Sequence, residues 1–325
     1  MQTEARVSAG RRRASSFWVM RFRRSLVAAA TRAAALLAAA ALHSQARAGA
    51  RPFAEVKFVS PRHQIVVEVM LGRQGPFPML LDTGTDPSVI DASLAKRLRP
   101  PSDTTLHEGK GAGMDPARAF EWTMVDVQLG KVRVDSVAAA GLDLSLVSEK
   151  LGMHLDGVLG YGFLEDRIVQ IDFLHHRVRF YEQSPALTRT ESVEMEMTLD
   201  PAHPSPRFSG RVGRRDVLLL YDSGSSNALA LNGRAVTALG LQGAYDRARP
   251  DSAFGFGARA ETRVGHIPSL VLGGILFENV PCVFGVQGYG ESWDPGATAG
   301  KLGNALLEKM IVTLDYPNRR IRFER

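Results

Sequence analysis

Beyond residue 49, short apolar runs alternate with polar positions and are punctuated by Gly, Pro, Asn and Asp, the pattern of strands and turns. Residues 65–71, the turn Gly72-Arg73-Gln74-Gly75-Pro76 and residues 77–81 predict a hairpin. Residues 207–212 and 217–221, around Gly213-Arg214-Arg215, predict a second one. Further strands are expected over 125–129, 132–137 and 269–272, and short helical segments over 91–98 and, more loosely, 232–239. Residues 183–190 are polar, contain a proline and show no periodicity, so they read as a linker.

Both hairpins lead an apolar run directly into an aspartate. Met79-Leu80-Leu81 precedes Asp82-Thr83-Gly84-Thr85, and Leu218-Leu219-Leu220-Tyr221 precedes Asp222-Ser223-Gly224-Ser225. A carboxylate at the end of a buried strand is desolvated and must be hydrogen bonded or share its charge. The surroundings recur as well. Val158-Leu159-Gly160 and residues 168–173 follow the first aspartate; Lys301-Leu302-Gly303 and residues 311–316 follow the second. The aspartates lie 140 positions apart and the later landmarks, Gly160 to Gly303 and Phe180 to Phe323, 143 apart. Upstream, Val56-Lys57-Phe58-Val59 corresponds loosely to residues 194–199. A repeat of about 135 residues is the size of a small domain, not of a solenoid unit.

Residues 1–48 have a different composition. Arginines cluster near the start, an Ala/Leu-rich stretch spans 26–42, and Ala46-Arg47-Ala48 provides a small-x-small cleavage signal. This is the plan of a secretory signal peptide, so the mature protein is expected to be periplasmic or secreted. Arg32 interrupts the apolar stretch, which argues against a membrane anchor, and none is expected after cleavage. The segment carries nine Arg and one Glu, which accounts for the basic total; the rest has 31 Lys plus Arg against 33 Asp plus Glu. A near-neutral mature chain gives no electrostatic case for nucleic-acid binding. Cys282 is the only cysteine, which excludes an intrachain disulfide.

With two Asp-hydroxyl-Gly loops, a following apolar-apolar-Gly element and an internal repeat, the chain resembles the pepsin/retropepsin-like aspartic proteases, specifically the bacterial exported type with two retropepsin-sized lobes. The resemblance covers nearly all of the mature chain. It implies an all-β protein of two β-barrel lobes, residues 49–185 and 186–325, with a substrate cleft between them and one aspartate from each. Asp82 and Asp222 would form the catalytic dyad of an endopeptidase. Two carboxylates in contact share one proton; the ionised one activates water and the protonated one donates to the peptide carbonyl. Thr83 and Ser223 would interlock the loops, Gly84 and Gly224 would permit their approach, and Thr85 and Ser225 would donate to the aspartates. Such donation favours the charged form and implies an acidic optimum. A flap is expected over 109–122, with Gly111 and Gly113 near its tip. No tyrosine lies between Asp82 and Gly160, so Phe120 or Trp122 would cover the cleft instead, although for any single aromatic packing in the core is the commoner role. Phe254-Gly255-Phe256-Gly257 would be the second flap. The partner is a polypeptide substrate, the molecule a monomer with pseudo-twofold symmetry, and no cofactor or metal is required.

Lys301 departs from this pattern by occupying an apolar position. It supports a different reading, a protease-like module that binds extended peptides without cutting them. An enzyme acting on non-protein amides is a third reading, with no positive sign in the sequence. Asp172 and Asp315 read as turn formers, Asp86 and Asp91 as surface or capping residues, and His175-His176 as solvated. The histidines show no zinc-ligand spacing, and no Gly-x-Ser-x-Gly elbow supports serine hydrolysis.

Overall fold

Apolar side chains at alternate positions, with glycines at the tips, make successive segments pair as antiparallel strands. The computed structural model describes residues 50–98, 106–110, 116–255, 258–285 and 298–325; the expected leader lies outside them. Up to residue 181 the strands are β1 (Ala54–Lys57), β2 (Val66–Leu71), β3 (Gln74–Leu81), β4 (Ser88–Asp91), β5 (Leu106–Lys110), β6 (Pro116–Leu129), β7 (Val132–Leu142), β8 (Gly157–Leu159), β9 (Ile168–Asp172) and β10 (Arg177–Tyr181). After an irregular stretch come β11 (Ser192–Glu196), β12 (Thr198–Asp200), β13 (His203–Val212), β14 (Arg215–Tyr221), β15 (Leu229–Leu231), β16 (Arg249–Gly255), β17 (Ala258–Leu272), β18 (Ile275–Gly285), β19 (Gly300–Leu302), β20 (Ile311–Asp315) and β21 (Arg320–Glu324). The protein is mostly β-sheet.

Two large sheets repeat one strand order. The first runs β2-β3-β8-β4-β7-β6-β5 and the second β12-β13-β14-β19-β15-β18-β17-β16. In the first, β3 pairs parallel with β8 and β4 with β7. In the second, β14 pairs parallel with β19 and β15 with β18. Each aspartate-bearing strand therefore has a short three-residue strand threaded parallel beside it.

A third sheet, ordered β1-β10-β9-β20-β21-β11, takes three strands from each side of the expected boundary at 185/186. At its centre β9 and β20 are antiparallel, with Gln170 opposite Thr313. Both residues are buried, and Gln170 Nε2 donates to Thr313 Oγ1 at 3.2 Å. All five residues of β20 are buried, because sheet neighbours pair with it on both sides and apolar layers cover both faces. The main core joins the three sheets, with Phe163, Phe180, Phe208, Phe284 and Phe323 fully enclosed. A smaller cluster, including Leu80, Val89, Leu151 and Val158, fills the other face of the first sheet near the helix Ser145–Leu151.

Several strands run further than the apolar pattern suggests. The expected 125–129 and 132–137 are parts of β6 and β7, 269–272 is the end of β17, and β18 was not foreseen. The added lengths carry residues such as Glu121, Thr123, Glu261 and Arg263, which interrupt the apolar pattern. Backbone pairing runs through these extensions, whose buried side chains, among them Ala119, Met124, Thr262 and Ile267, are separated by exposed or half-buried ones. The turn of the first hairpin is also tighter than expected. Leu71 pairs with Gln74, so Gly75 and Pro76 belong to β3.

Because β9 and β20 join strands from the two halves into one sheet, residues 50–325 are expected to unfold in one transition. Leu314→Ala should cost about 2–5 kcal/mol, measured by urea denaturation; separate transitions for the two halves would contradict this.

Candidate active site

Asp82 and Asp222 stand one residue beyond β3 and β14. The Asp82 N–H donates to the Leu159 carbonyl at 3.0 Å, and the Asp222 N–H to that of Leu302 at 3.0 Å. These bonds extend the parallel threading of β8 and β19 and fix where each carboxylate emerges. Each chain then turns tightly. Gly84 N–H donates to Asp82 Oδ1 at 2.7 Å, and Gly224 N–H to Asp222 Oδ1 at 2.9 Å.

The two loops grip each other through buried hydroxyls. Thr83 Oγ1 donates to the Tyr221 carbonyl at 2.9 Å and accepts the Ser223 N–H at 3.0 Å. Ser223 Oγ donates to the Leu81 carbonyl at 2.7 Å and accepts the Thr83 N–H at 2.9 Å. Asn304 adds a further brace: its Nδ2 donates to the Ser223 carbonyl at 2.7 Å, and its Oδ1 accepts the Tyr221 hydroxyl at 3.2 Å.

Glycine is required where the loops meet. A Cβ on Gly224 would lie 2.3 Å from Asp82 Oδ2, and one on Gly84 would lie 3.0 Å from Asp222 Cγ. Each glycine thus faces the opposite aspartate, and the missing side chains bring the two carboxyl groups together.

The remaining donors differ. Thr85 Oγ1 donates to Asp82 Oδ2 at 2.6 Å. On the other side Lys301 Nζ donates to Asp222 Oδ2 at 2.7 Å. Ser225 had been expected there; among the described residues, Lys301 is the side chain that donates to Asp222. Lys301 sits opposite Leu220 in the β14–β19 ladder, as Val158 sits opposite Leu80 in the other half. At the position where the first half places a core valine, the second half sends an ammonium toward its aspartate.

Burial, then the charge of Asp222, raises Asp82 to about 7, against the opposing effects of Thr85, Gly84 and Lys301. On Asp82 desolvation of the buried carboxyl outweighs the donors, which by themselves favour the charged form. Burial likewise raises the phenols of Tyr221 and Tyr316, which stay neutral.

The aspartates lie in a cleft of about 840 Å³ lined from both sides of the molecule. Leu80, Val89, Leu142 and Leu146 face it on one side, Ala253, Val264 and Val283 on the other. Gln64, just after the turn Pro61–His63, donates from Nε2 to the Gly224 carbonyl at 2.6 Å, and Arg62 lines the cleft beside it.

The flap residues fall out unevenly. β5 and β6 pair from Leu106–Phe120 to Lys110–Pro116, and β16 and β17 from Arg249–Val264 to Gly255–Ala258, so both expected hairpins exist. Gly111, Gly113 and Phe256 lie outside the described residues, as does the side chain of Phe254. Phe120 and Trp122 do not line the cleft. Ala119 does, and side chains one step along a strand point to the opposite face. Phe120 and Trp122 pack instead on the core, their rings 6.3 Å apart.

Asp91 caps the helix Ala92–Leu98 by accepting the Ser93 and Leu94 N–H groups. Asp172, the last residue of β9, accepts from Arg179 and His175, and Asp315, the last residue of β20, from Asn318 in the turn that follows. Asp86 is exposed but lies on the cleft wall. Among the described residues, no group of three His, Cys, Asp or Glu side chains is placed to hold a metal.

Sequence reasoning missed Asn304 and Gln64, and took Lys301 as a departure from the apolar thread that favoured a binding module. The signal for Asn304 was its place after Gly303 within the repeat; nothing in the pattern pointed to Gln64.

A family model described as aspartyl protease matches residues 67–163, the stretch from the first hairpin past Val158-Leu159-Gly160. The match includes Asp82 and ends before Asp222. No curated protein matches the chain.

Two outcomes follow from this geometry. Thr83→Val and Ser223→Ala should each cost about 1–3 kcal/mol, because each leaves buried main-chain groups unpaired, and the double variant should cost less than the sum. Between about pH 4 and 7 folded Asp82 keeps a proton that the unfolded chain has released, so stability falls across this window and levels off above it. The stability of Asp82→Asn relative to the unsubstituted protein should therefore increase from pH 4 to 7 in urea titrations; a constant difference would contradict the raised Asp82.

Proposed function

We propose that the protein is an aspartic endopeptidase in which Asp82 and Asp222 act as one dyad on a water molecule. The observation that carries this reading is the mutual grip of the two loops, which holds two buried carboxyl groups against each other's glycines at the floor of an open cleft. A dyad so placed shares a proton, and burial supplies the raised carboxyl that retains it. The match to an aspartyl protease family over 67–163 supports the same chemistry for the half that holds Asp82.

In this reading residues 49–185 and 186–325 are two lobes descended from one duplicated unit. The shared strand order, the paired parallel threads and the constant spacing of landmarks support it. One chain then carries both aspartates and works as a monomer. The substrate is an extended polypeptide laid along the cleft, with apolar walls to receive side chains. Residues 1–48 act as an export signal and place the mature enzyme in the periplasm or outside the cell.

The reaction balances without a covalent intermediate. Water adds its oxygen to the peptide carbonyl carbon and gives a proton to the ionised carboxylate. The protonated carboxyl gives its proton to the carbonyl oxygen, producing a neutral gem-diol. As the C–N bond breaks, the amine takes the first proton and the second returns to the dyad.

The test is cleavage of a denatured protein mixture across pH 4–8 by protein beginning at Gly49. Cleavage is expected to peak from weakly acidic to neutral pH and to fall as Asp82 ionises near 7. Asp82→Asn and Asp222→Asn should each lose at least about a hundredfold in rate. Cleavage that survives either substitution would refute the dyad.

A further inference from the structure

Asp82 and Asp222 receive the same main-chain donor and different side-chain donors. A glycine N–H serves Oδ1 of each. Oδ2 of Asp82 takes a neutral hydroxyl from Thr85, whereas Oδ2 of Asp222 takes the ammonium of Lys301 at 2.7 Å. The Lys301 and Asp222 side chains are only 13% and 11% exposed, so water screens the pair weakly. A hydroxyl can serve a carboxyl in either protonation state; an ammonium at this range favours the carboxylate.

We propose that Lys301 is a positioning residue that fixes the negative charge of the dyad on Asp222, making Asp222 the base toward water and Asp82 the proton donor. The catalytic roles rest on the endopeptidase reading; the placement of charge does not. With Oδ2 held by Lys301, Asp222 takes the water proton on Oδ1 while the water oxygen bonds to the carbonyl carbon. Asp82 passes its proton to the carbonyl oxygen. When the C–N bond breaks, the proton on Asp222 goes to the leaving nitrogen and a gem-diol proton returns to Asp82. Lys301 keeps its protons throughout.

The other charged or titratable groups around the dyad do not duplicate this contact. Tyr221 and Tyr316 are buried phenols whose burial keeps them neutral. Arg62, Asp86, Lys150, His203 and Asp251 line the cleft. Among the described residues, only Lys301 brings a cation into hydrogen-bond contact with either aspartate. Lysine also explains how a polar residue is tolerated in an otherwise apolar thread: its charge is matched where it ends.

The experiment compares Lys301→Met, Lys301→Gln and Lys301→Arg with the parent protein. Carboxyl titration is followed by ¹³C NMR of Asp-labelled protein, and the pH profile of kcat/KM is measured alongside. In the parent, the carboxyl titrating at about 7 should be absent from Asp82→Asn and present in Asp222→Asn, though displaced. Lys301→Met and Lys301→Gln should raise this step by about one pH unit, and both limbs of the kcat/KM profile should move up with it. Lys301→Arg should hold the parent's midpoints. Gln retains a donor without charge, so it separates charge from hydrogen bonding and stands in if the Met variant does not fold. The proposal is overturned if the carboxyl titrating at about 7 belongs to Asp222. It is also overturned if neutral substitutions lower activity evenly without moving any midpoint. If the parent cleaves nothing, the endopeptidase reading fails, while the NMR titration still decides where the charge resides.

Discussion

Two buried hydroxyls, on Thr83 and Ser223, exchange four hydrogen bonds with main-chain groups of the opposite loop, and this grip decides how close the aspartates lie. Strands β3 and β14 bring each loop to the floor of the cleft, and the threads β8 and β19 fix its height through one further main-chain bond. Neither sheet alone sets the distance between carboxyl groups. That depends on glycines whose absent side chains leave room for the other aspartate. The central β9–β20 pair holds strands of both halves in one sheet.

Within this near-symmetric frame the chemistry is unsymmetric. The repeat of strand order extends to Val158 and Lys301, which occupy matching ladder positions, yet one joins an apolar cluster and the other reaches an aspartate. Burial and the charge of Asp222 push Asp82 upward together, and the Lys301 cation offsets only part of that rise. On the proposed reading, a fold that repeats its backbone divides the labour of a proton pair with a single side chain. The desolvation that makes the arrangement costly also raises Asp82, which is what the proposed proton donor requires near neutral pH.

Much of this was legible in the sequence. The two Asp-hydroxyl-Gly segments, the landmarks 143 positions apart and the apolar runs ahead of each aspartate located both loops and their threads. The loop grip was expected from resemblance, because its donors are the motif's own residues. Periodicity could not register the outer lengths of β6 and β17, where polar residues such as Glu121, Thr123, Glu261 and Arg263 interrupt the apolar pattern while main-chain pairing continues. It also left Phe120 and Trp122 between cleft and core, since their side of β6 depends on strand register; both pack on the core and Ala119 faces the cleft. The direction of the Asp82 shift needed burial, which no motif records. Lys301 was visible as an anomaly, but its contact became readable only once β19 was seen beside β14.

The most direct test of the paired aspartates is the affinity of a peptide analogue bearing a secondary hydroxyl in place of the scissile carbonyl, compared with a peptide of the same side chains. A dyad built to hold the tetrahedral species should bind the analogue at least about a hundredfold more tightly, and Asp82→Asn or Asp222→Asn should each abolish that preference. Equal affinity for analogue and peptide, unchanged in both variants, would show a cleft that only holds polypeptides and would contradict the account.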